Sequence, residues 1–106
     1  MQKFDVSFRP AAEADLFGLY RAITAAAGRG VAGAYIDRIE TACPSLETFP
    51  ERGTKRDDIR PGLRTMGFER RATIVFQVLA AEVVIVRIFY GGQDYERVLR
   101  GERDRR

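Results

Sequence analysis

The sequence predicts an α+β domain in which an antiparallel helix hairpin packs on one face of a mainly antiparallel sheet, behind an N-terminal strand and before a short C-terminal helix. Three observations predict it. Apolar residues alternate over residues 3–8 and again through 73–90, two apolar stripes at helical spacing lie between them, and no repeat or low-complexity segment interrupts the 106 residues. A chain of this length buries one core, so residues 1–106 are read as a single domain.

Lys3–Phe8 sets Phe4, Val6 and Phe8 against Lys3, Asp5 and Ser7, the period-2 pattern of a half-buried strand. Pro10 suits the first turn of a helix, where its missing N–H is not needed, and Glu13 and Asp15 suit the positive end of the helix dipole. Ala12, Leu16, Leu19, Tyr20, Ile23 and Ala27 form the stripe of helix one, which Gly28 and Gly30 should end. A second stripe of Tyr35, Ile39, Ala42, Cys43, Leu46 and Phe49 predicts helix two, and the short link makes the pair antiparallel. Pro44 falls inside that stripe, so the helix should kink or restart near Ser45.

Phe49-Pro50 closes the helical half, and Arg52–Pro61 is polar enough to be an exposed loop. Leu63–Phe68 is a weaker strand pattern than the two that follow. Thr73–Leu79 places Ile74, Phe76 and Val78 on one face; Glu82–Tyr90 places Val84, Val86 and Ile88 opposite Val83, Ile85, Arg87 and Phe89. Ala80-Ala81 joins them as a tight turn without a glycine or asparagine signal. Asp94 can cap a terminal helix containing Val98 and Leu99, beyond which residues 100–106 are expected to be a flexible basic tail.

Composition excludes much chemistry. With one cysteine, Cys43, there is no internal disulfide or multi-cysteine zinc site; with no histidine, the Ser-His-Asp and Cys-His systems and histidine-ligated metals are unavailable. No cofactor and no metal are expected. No apolar run spans a membrane and no signal-peptide core is visible, so a cytoplasmic protein without membrane contact is expected. The net charge of +3 is uneven: residues 1–48 carry −1, 49–71 carry +3, 72–96 carry −2 and 97–106 carry +3. Basic charge in the central loop and tail attracts an acidic partner surface or simply keeps the chain soluble.

Several segments together resemble the ParE branch of the RelE/ParE toxin superfamily: Pro10-Ala11-Ala12-Glu13-Ala14-Asp15-Leu16, Tyr35-Ile36-Asp37-Arg38-Ile39, Phe49-Pro50-Glu51-Arg52-Gly53, Asp57–Arg64, Ile74–Val78 and Val86–Asp94. The resemblance implies the RelE/ParE-like fold and a toxin of a type II toxin–antitoxin system that inhibits DNA gyrase. It also implies a hetero-oligomer with a ParD-like antitoxin of ribbon-helix-helix type with an acidic amphipathic tail, and no sequence-specific DNA binding by this chain alone. The alternatives are a RelE-like, ribosome-dependent mRNA endoribonuclease and a non-toxic antitoxin-binding module.

The ribonuclease branch needs cations to hold phosphorane charge, and the corresponding positions here are Arg64, Met66, Thr73 and Gln93, of which one is basic. Tyr90 and Arg87, three residues apart on one strand, point to opposite faces and do not share a site. No catalytic residue is therefore assigned. Many relatives carry histidine where Tyr90 stands, and most keep continuous the helix that Pro44 interrupts.

Arg60 and Arg64 flank Pro61-Gly62-Leu63 and are expected to project from the sheet edge toward antitoxin carboxylates, or else to pair locally with Asp57 and Asp58. Arg87 is either covered by a partner or paired internally. Phe89, with Val83 and Ile85, is expected on a sheet face left partly open for an antitoxin helix, unless Val98 and Leu99 of the terminal helix cover it. Tyr20 and Tyr35 complete the antitoxin-binding set as core or rim residues of the hairpin. Tyr90, Gln93, Arg97, Arg100 and Arg103 form the target-binding set, because in the family the C-terminal strand and helix reach gyrase.

Overall fold

The computed structural model describes residues 3–91 and 93–104, and the side chains of Arg103 and Asp104 are not described. Gly92 and the tail residues Arg105 and Arg106 lie outside the described residues. The elements are strand β1 (Asp5–Phe8), helices α1 (Pro10–Ala27) and α2 (Arg29–Ala42), a 3-10 turn (Cys43–Glu47), strands β2 (Thr54–Lys55), β3 (Leu63–Phe68), β4 (Ala72–Val78) and β5 (Glu82–Tyr90), and helix α3 (Tyr95–Asp104). The sheet order is β1-β5-β4-β3-β2, antiparallel throughout except that β1 runs parallel to β5.

Proline starts α1 as expected, and Gly28, at φ 94°, links α1 to α2 in a single residue. Gly30 lies inside α2 and ends nothing, because the chain reverses at the one residue with positive φ. Pro44 has the consequence its chemistry dictates: the Cys43 N–H makes the last α-helical bond, to the Ile39 carbonyl, and the chain continues as a tighter 3-10 turn. That change of pitch keeps Cys43 and Leu46 buried but turns Phe49 outward at 57% exposure, so Phe49 is not part of the buried stripe. Ala27, at the frayed end of its stripe, is also exposed.

The helix hairpin covers the first face of the sheet, where Ala12, Leu16, Leu19, Ile23, Tyr35 and Ile39 meet Ile74, Phe76, Val83, Ile85 and Ile88. The second face carries its own apolar cluster: Ile59, Leu63, Val75, Val84, Val86 and Phe89 under Leu99 of α3. The expectation of an open face carrying Val83, Ile85 and Phe89 is therefore corrected. Val75 pairs with Arg87 and Phe76 with Ile85, so Val86 is a bulge, and the extra residue moves Arg87 and Phe89 to the opposite face from Val83 and Ile85. Each set is then covered by a different helical element. Strict alternation along β5 cannot register a bulge.

The predicted exposed loop 52–61 is also more ordered than its polarity indicates. β2 pairs with β3 inside it, and Ile59 is 1% exposed beneath α3. Gly53, at φ 73°, brings the chain so close to β3 that a Cβ would sit 2.1 Å from the Thr65 carbonyl oxygen. Only glycine permits that approach.

Candidate functional site

Chain direction leaves one edge of β5 unpaired. β1 hydrogen-bonds β5 only from Glu82 to Ile85, and the chain then turns into α1 at Arg9, whose N–H donates to the Ile85 carbonyl. Asp15, six residues further on in α1, fills the gap: its carboxylate accepts the Ile88 N–H at 2.8 Å and, with both oxygens, the Arg87 guanidinium at 2.7 and 2.9 Å. Arg87 also donates to Glu102 of α3. The sequence left a partner or an internal pair open for Arg87, and the fold supplies the pair. Two carboxylates, Asp15 foremost, raise the Arg87 pKa above its ordinary value against the opposing effect of burial.

A second ionic knot holds the N-terminal half of α3. Arg56 donates through Nε and Nη2 to both oxygens of Asp58, and through Nη1 to Glu96 and to the Tyr95 hydroxyl, while its guanidinium lies over the Tyr95 ring at 6.0 Å. Arg100 adds a second cation on Asp58 at 2.8 Å. Hydrogen bonds from Arg56, and then from Arg100, hold the Asp58 carboxyl well below the usual carboxylate range. Nothing in a loop of alternating charges singles out Arg56, because the partners that define it come from α3, 40 residues away.

These contacts redistribute the antitoxin-binding residues read from the sequence. Arg60 approaches Glu102 on the second face, whereas Arg64 lies opposite Phe76 on the first face and donates to the Arg52 carbonyl. The fold does not bring them together as one grip. Phe89 is buried against Tyr95 at 6.1 Å between ring centres, and Arg87 stacks over it at 5.0 Å. Tyr20 is half-buried and lines a groove of about 370 Å³ with Phe8, Leu16, Phe17 and Ile36, flanked by Glu13 and Glu40; Phe17 is 64% exposed there.

Tyr35 lies under a separate groove at the other end of the hairpin. Its ring meets Phe68 and Tyr90 edge-on at 5.6 and 6.2 Å, and Arg38 covers it at 5.4 Å. Arg38 in turn makes a two-point pair with Glu69 at 2.8 and 3.0 Å.

Of the target-binding set, Tyr90 and Gln93 are joined, the Gln93 amide oxygen accepting the Tyr90 N–H at 2.9 Å. Gln93 and Arg97 line a groove with Val98 and Glu102, and Asp94 caps the helix by accepting the Arg97 N–H, as its position predicted. Arg100 faces Asp58 instead of extending that surface. The side chain of Arg103 lies outside the described residues. Among the described residues no cluster of side chains is arranged to hold a metal ion, and no helix is long and apolar enough to cross a membrane.

With this geometry in place, the comparisons are specific. Residues 6–95 match the family described as the ParE toxin of type II toxin–antitoxin system, parDE. The chain is 36% identical over 77 residues to Toxin ParE3 of Caulobacter vibrioides, covering 73% of this chain and 76% of that one. It superposes with a TM-score of 0.73 and 26% identity on a chain of the chromosomal ParDE toxin–antitoxin system from P. aeruginosa, covering 84% of this chain and 97% of that chain. A chain of the RelBE2 toxin–antitoxin complex from Mycobacterium tuberculosis shares the fold at a TM-score of 0.58 and 22% identity, with 88% of this chain and 97% of that chain covered.

Proposed function

The chain belongs to the ParE toxin family of type II toxin–antitoxin systems, and from that premise we propose that it inhibits DNA gyrase by binding and is neutralised in the cytoplasm by a ParD-like antitoxin. The observation that carries a binding rather than a nuclease role is the dispersal of the four positions where the ribonuclease branch would place catalytic groups. Arg64 is tied to a backbone carbonyl, Met66 packs into the first-face core, Thr73 lies beside Phe89 on the second face, and the Gln93 amide is committed to Tyr90. Phosphoryl transfer needs cations converging on one phosphate and a group to take the 2′-hydroxyl proton. These four residues offer no such convergence.

Inhibition by binding uses surface instead. Gln93, Arg97 and the outer side of α3 supply it on the second face, and the grooves beside Tyr20 and Tyr35 supply further surface for an antitoxin that wraps the hairpin. One observation favours the ribonuclease reading: Arg71, Tyr90 and Tyr35 line one groove, which places a cation and two phenols together. The decisive assay is supercoiling of relaxed plasmid by purified gyrase. Inhibition by the isolated chain, relieved by its antitoxin, is expected; full supercoiling at saturating protein sinks the proposal. Codon-positioned mRNA cleavage on translating ribosomes would establish the ribonuclease reading, and no growth arrest without antitoxin would establish a binding module alone.

A further inference from the structure

The groove over Tyr35, offered above as antitoxin surface, has a polar lining that specifies what it can receive. Its volume is about 340 Å³, with one wall of small apolar residues from α1 and the start of α2 and the other formed by the β3–β4 turn. That turn is Glu69-Arg70, with φ of 49° and 63°. These are the two central residues of the tight turn closed by the Arg71 N–H on the Phe68 carbonyl, within a three-residue link between paired Phe68 and Ala72, and non-glycine residues with such φ cost of order 1 kcal/mol or more each. Glu69 and Arg71, both in this link, line the groove.

The polar groups are unbalanced. Both oxygens of Glu69 are engaged by Arg38, so the carboxylate of the lining is already matched. Arg71 is exposed, lines the groove beside Tyr90, and makes no ion pair with a carboxylate among the described residues. The Tyr90 hydroxyl, also in the lining, can donate as well as accept. Tyr35 is 6% exposed, and its hydroxyl is buried without a hydrogen-bond partner. A guanidinium and two phenols therefore line a space whose one carboxylate is occupied, with the Tyr35 hydroxyl enclosed beneath it. Leaving a buried hydroxyl unmatched costs about 1–3 kcal/mol.

We propose that this groove is an oxyanion site that receives the carboxylate of an acidic side chain, carried on an apolar stretch of a polypeptide partner. Arg71 supplies the charge, the Tyr90 and Tyr35 hydroxyls supply directed donors, and Ala22, Ala26 and Val31 take the apolar flank. A doubly charged phosphate fits less well, because Glu69 stands at the rim and cancels Arg38, leaving one cation unmatched by a carboxylate in the lining. The proposal deepens the reading of this groove as antitoxin surface and rests on it, but not on the identity of the toxin's target. Its probe is a short peptide, so failure here leaves gyrase inhibition untouched.

The test uses the full chain, isotope-labelled, with Arg71 side-chain and Glu69 backbone resonances followed by NMR at constant ionic strength. The probes are the peptide acetyl-Ala-Leu-Glu-Leu-Ala-amide, the same peptide with Gln for Glu, and inorganic phosphate. The glutamate peptide should give saturable shifts at lower concentration than either control. Arg71→Gln should weaken it by about tenfold, as expected for loss of a charge-assisted pair. Tyr35→Phe should weaken it several-fold with the thermal midpoint unchanged or raised, since the lost hydroxyl has no partner in the unliganded protein. Equal response to the glutamine peptide, stronger response to phosphate, or undiminished binding by Arg71→Gln would overturn the proposal.

Discussion

Asp15→Ala removes the carboxylate that hydrogen-bonds the helix hairpin to the open edge of β5. Asp15 and Arg87 are 15% and 18% exposed, and three hydrogen bonds end on the Asp15 carboxylate, two from Arg87 and one from the Ile88 N–H. Removing one partner of a buried ion pair costs about 3–5 kcal/mol, because the other charge is left unmatched. Glu102 still holds Arg87 in the variant, so the lower end, about 3 kcal/mol, is expected. With a urea dependence of about 1.5 kcal/mol per molar, that loss lowers the unfolding midpoint by about 2 M. Asp15→Asn keeps an acceptor for Ile88 and should lie between. Adding Arg87→Met to Asp15→Ala should recover part of the loss, because the unmatched cation is then gone as well. A midpoint change below about 0.5 M for Asp15→Ala, or strict additivity in the double variant, refutes the assignment of this pair as the link between α1 and β5.

Three further outcomes follow from named contacts. Ile59→Ala should destabilise the fold by about 2–4 kcal/mol in chemical denaturation, a core-sized loss from a segment that reads as a polar loop; a surface-sized effect would contradict its burial under α3. The Cys43 thiol, pushed up to about 12 by burial, should resist alkylation at pH 8 until the protein unfolds, so labelling should track global unfolding in urea. The Asp58 and Glu69 carboxyls both have folded pKa values below their ordinary values, chiefly through Arg56 and Arg38 respectively. The stability they contribute is complete above the ordinary values of 3.8 and 4.5 and is lost as pH falls through the folded values. Acid titration followed by circular dichroism should therefore show Asp58→Asn and Glu69→Gln flattening the decline below about pH 4.5 while leaving its course above that unchanged.

Most of the architecture was legible in the sequence, because periodicity is a local property. The alternation in 3–8 and 73–90 and the stripe from Ala12 to Ile23 report burial directly, and the structure has β1, α1, β4 and β5 there. Pro44 announced the change of helical pitch by its own covalent chemistry. The segments resembling ParE toxins carried the family, and the comparisons agree with it.

The partners of each charged side chain were not legible. The bulge at Val86 is set by pairing with β4, so it alone decided that Phe89 faces α3 and that Arg87 reaches Asp15 and Glu102. Ile59 looks like a loop residue until α3 closes over it, and Arg56 looks like any surface arginine until Glu96 and Tyr95 arrive from the far end of the chain. The groove over Tyr35 exists because a strained turn, absent from any glycine signal, sets Glu69 and Arg71 beside α2. The sequence by itself determined which residues are buried in regular elements, since that depends on neighbours a few positions apart. Tertiary structure decided how charges such as Glu69, Arg56 and Asp15 are matched, because that depends on contacts 31 to 73 residues distant that follow no period.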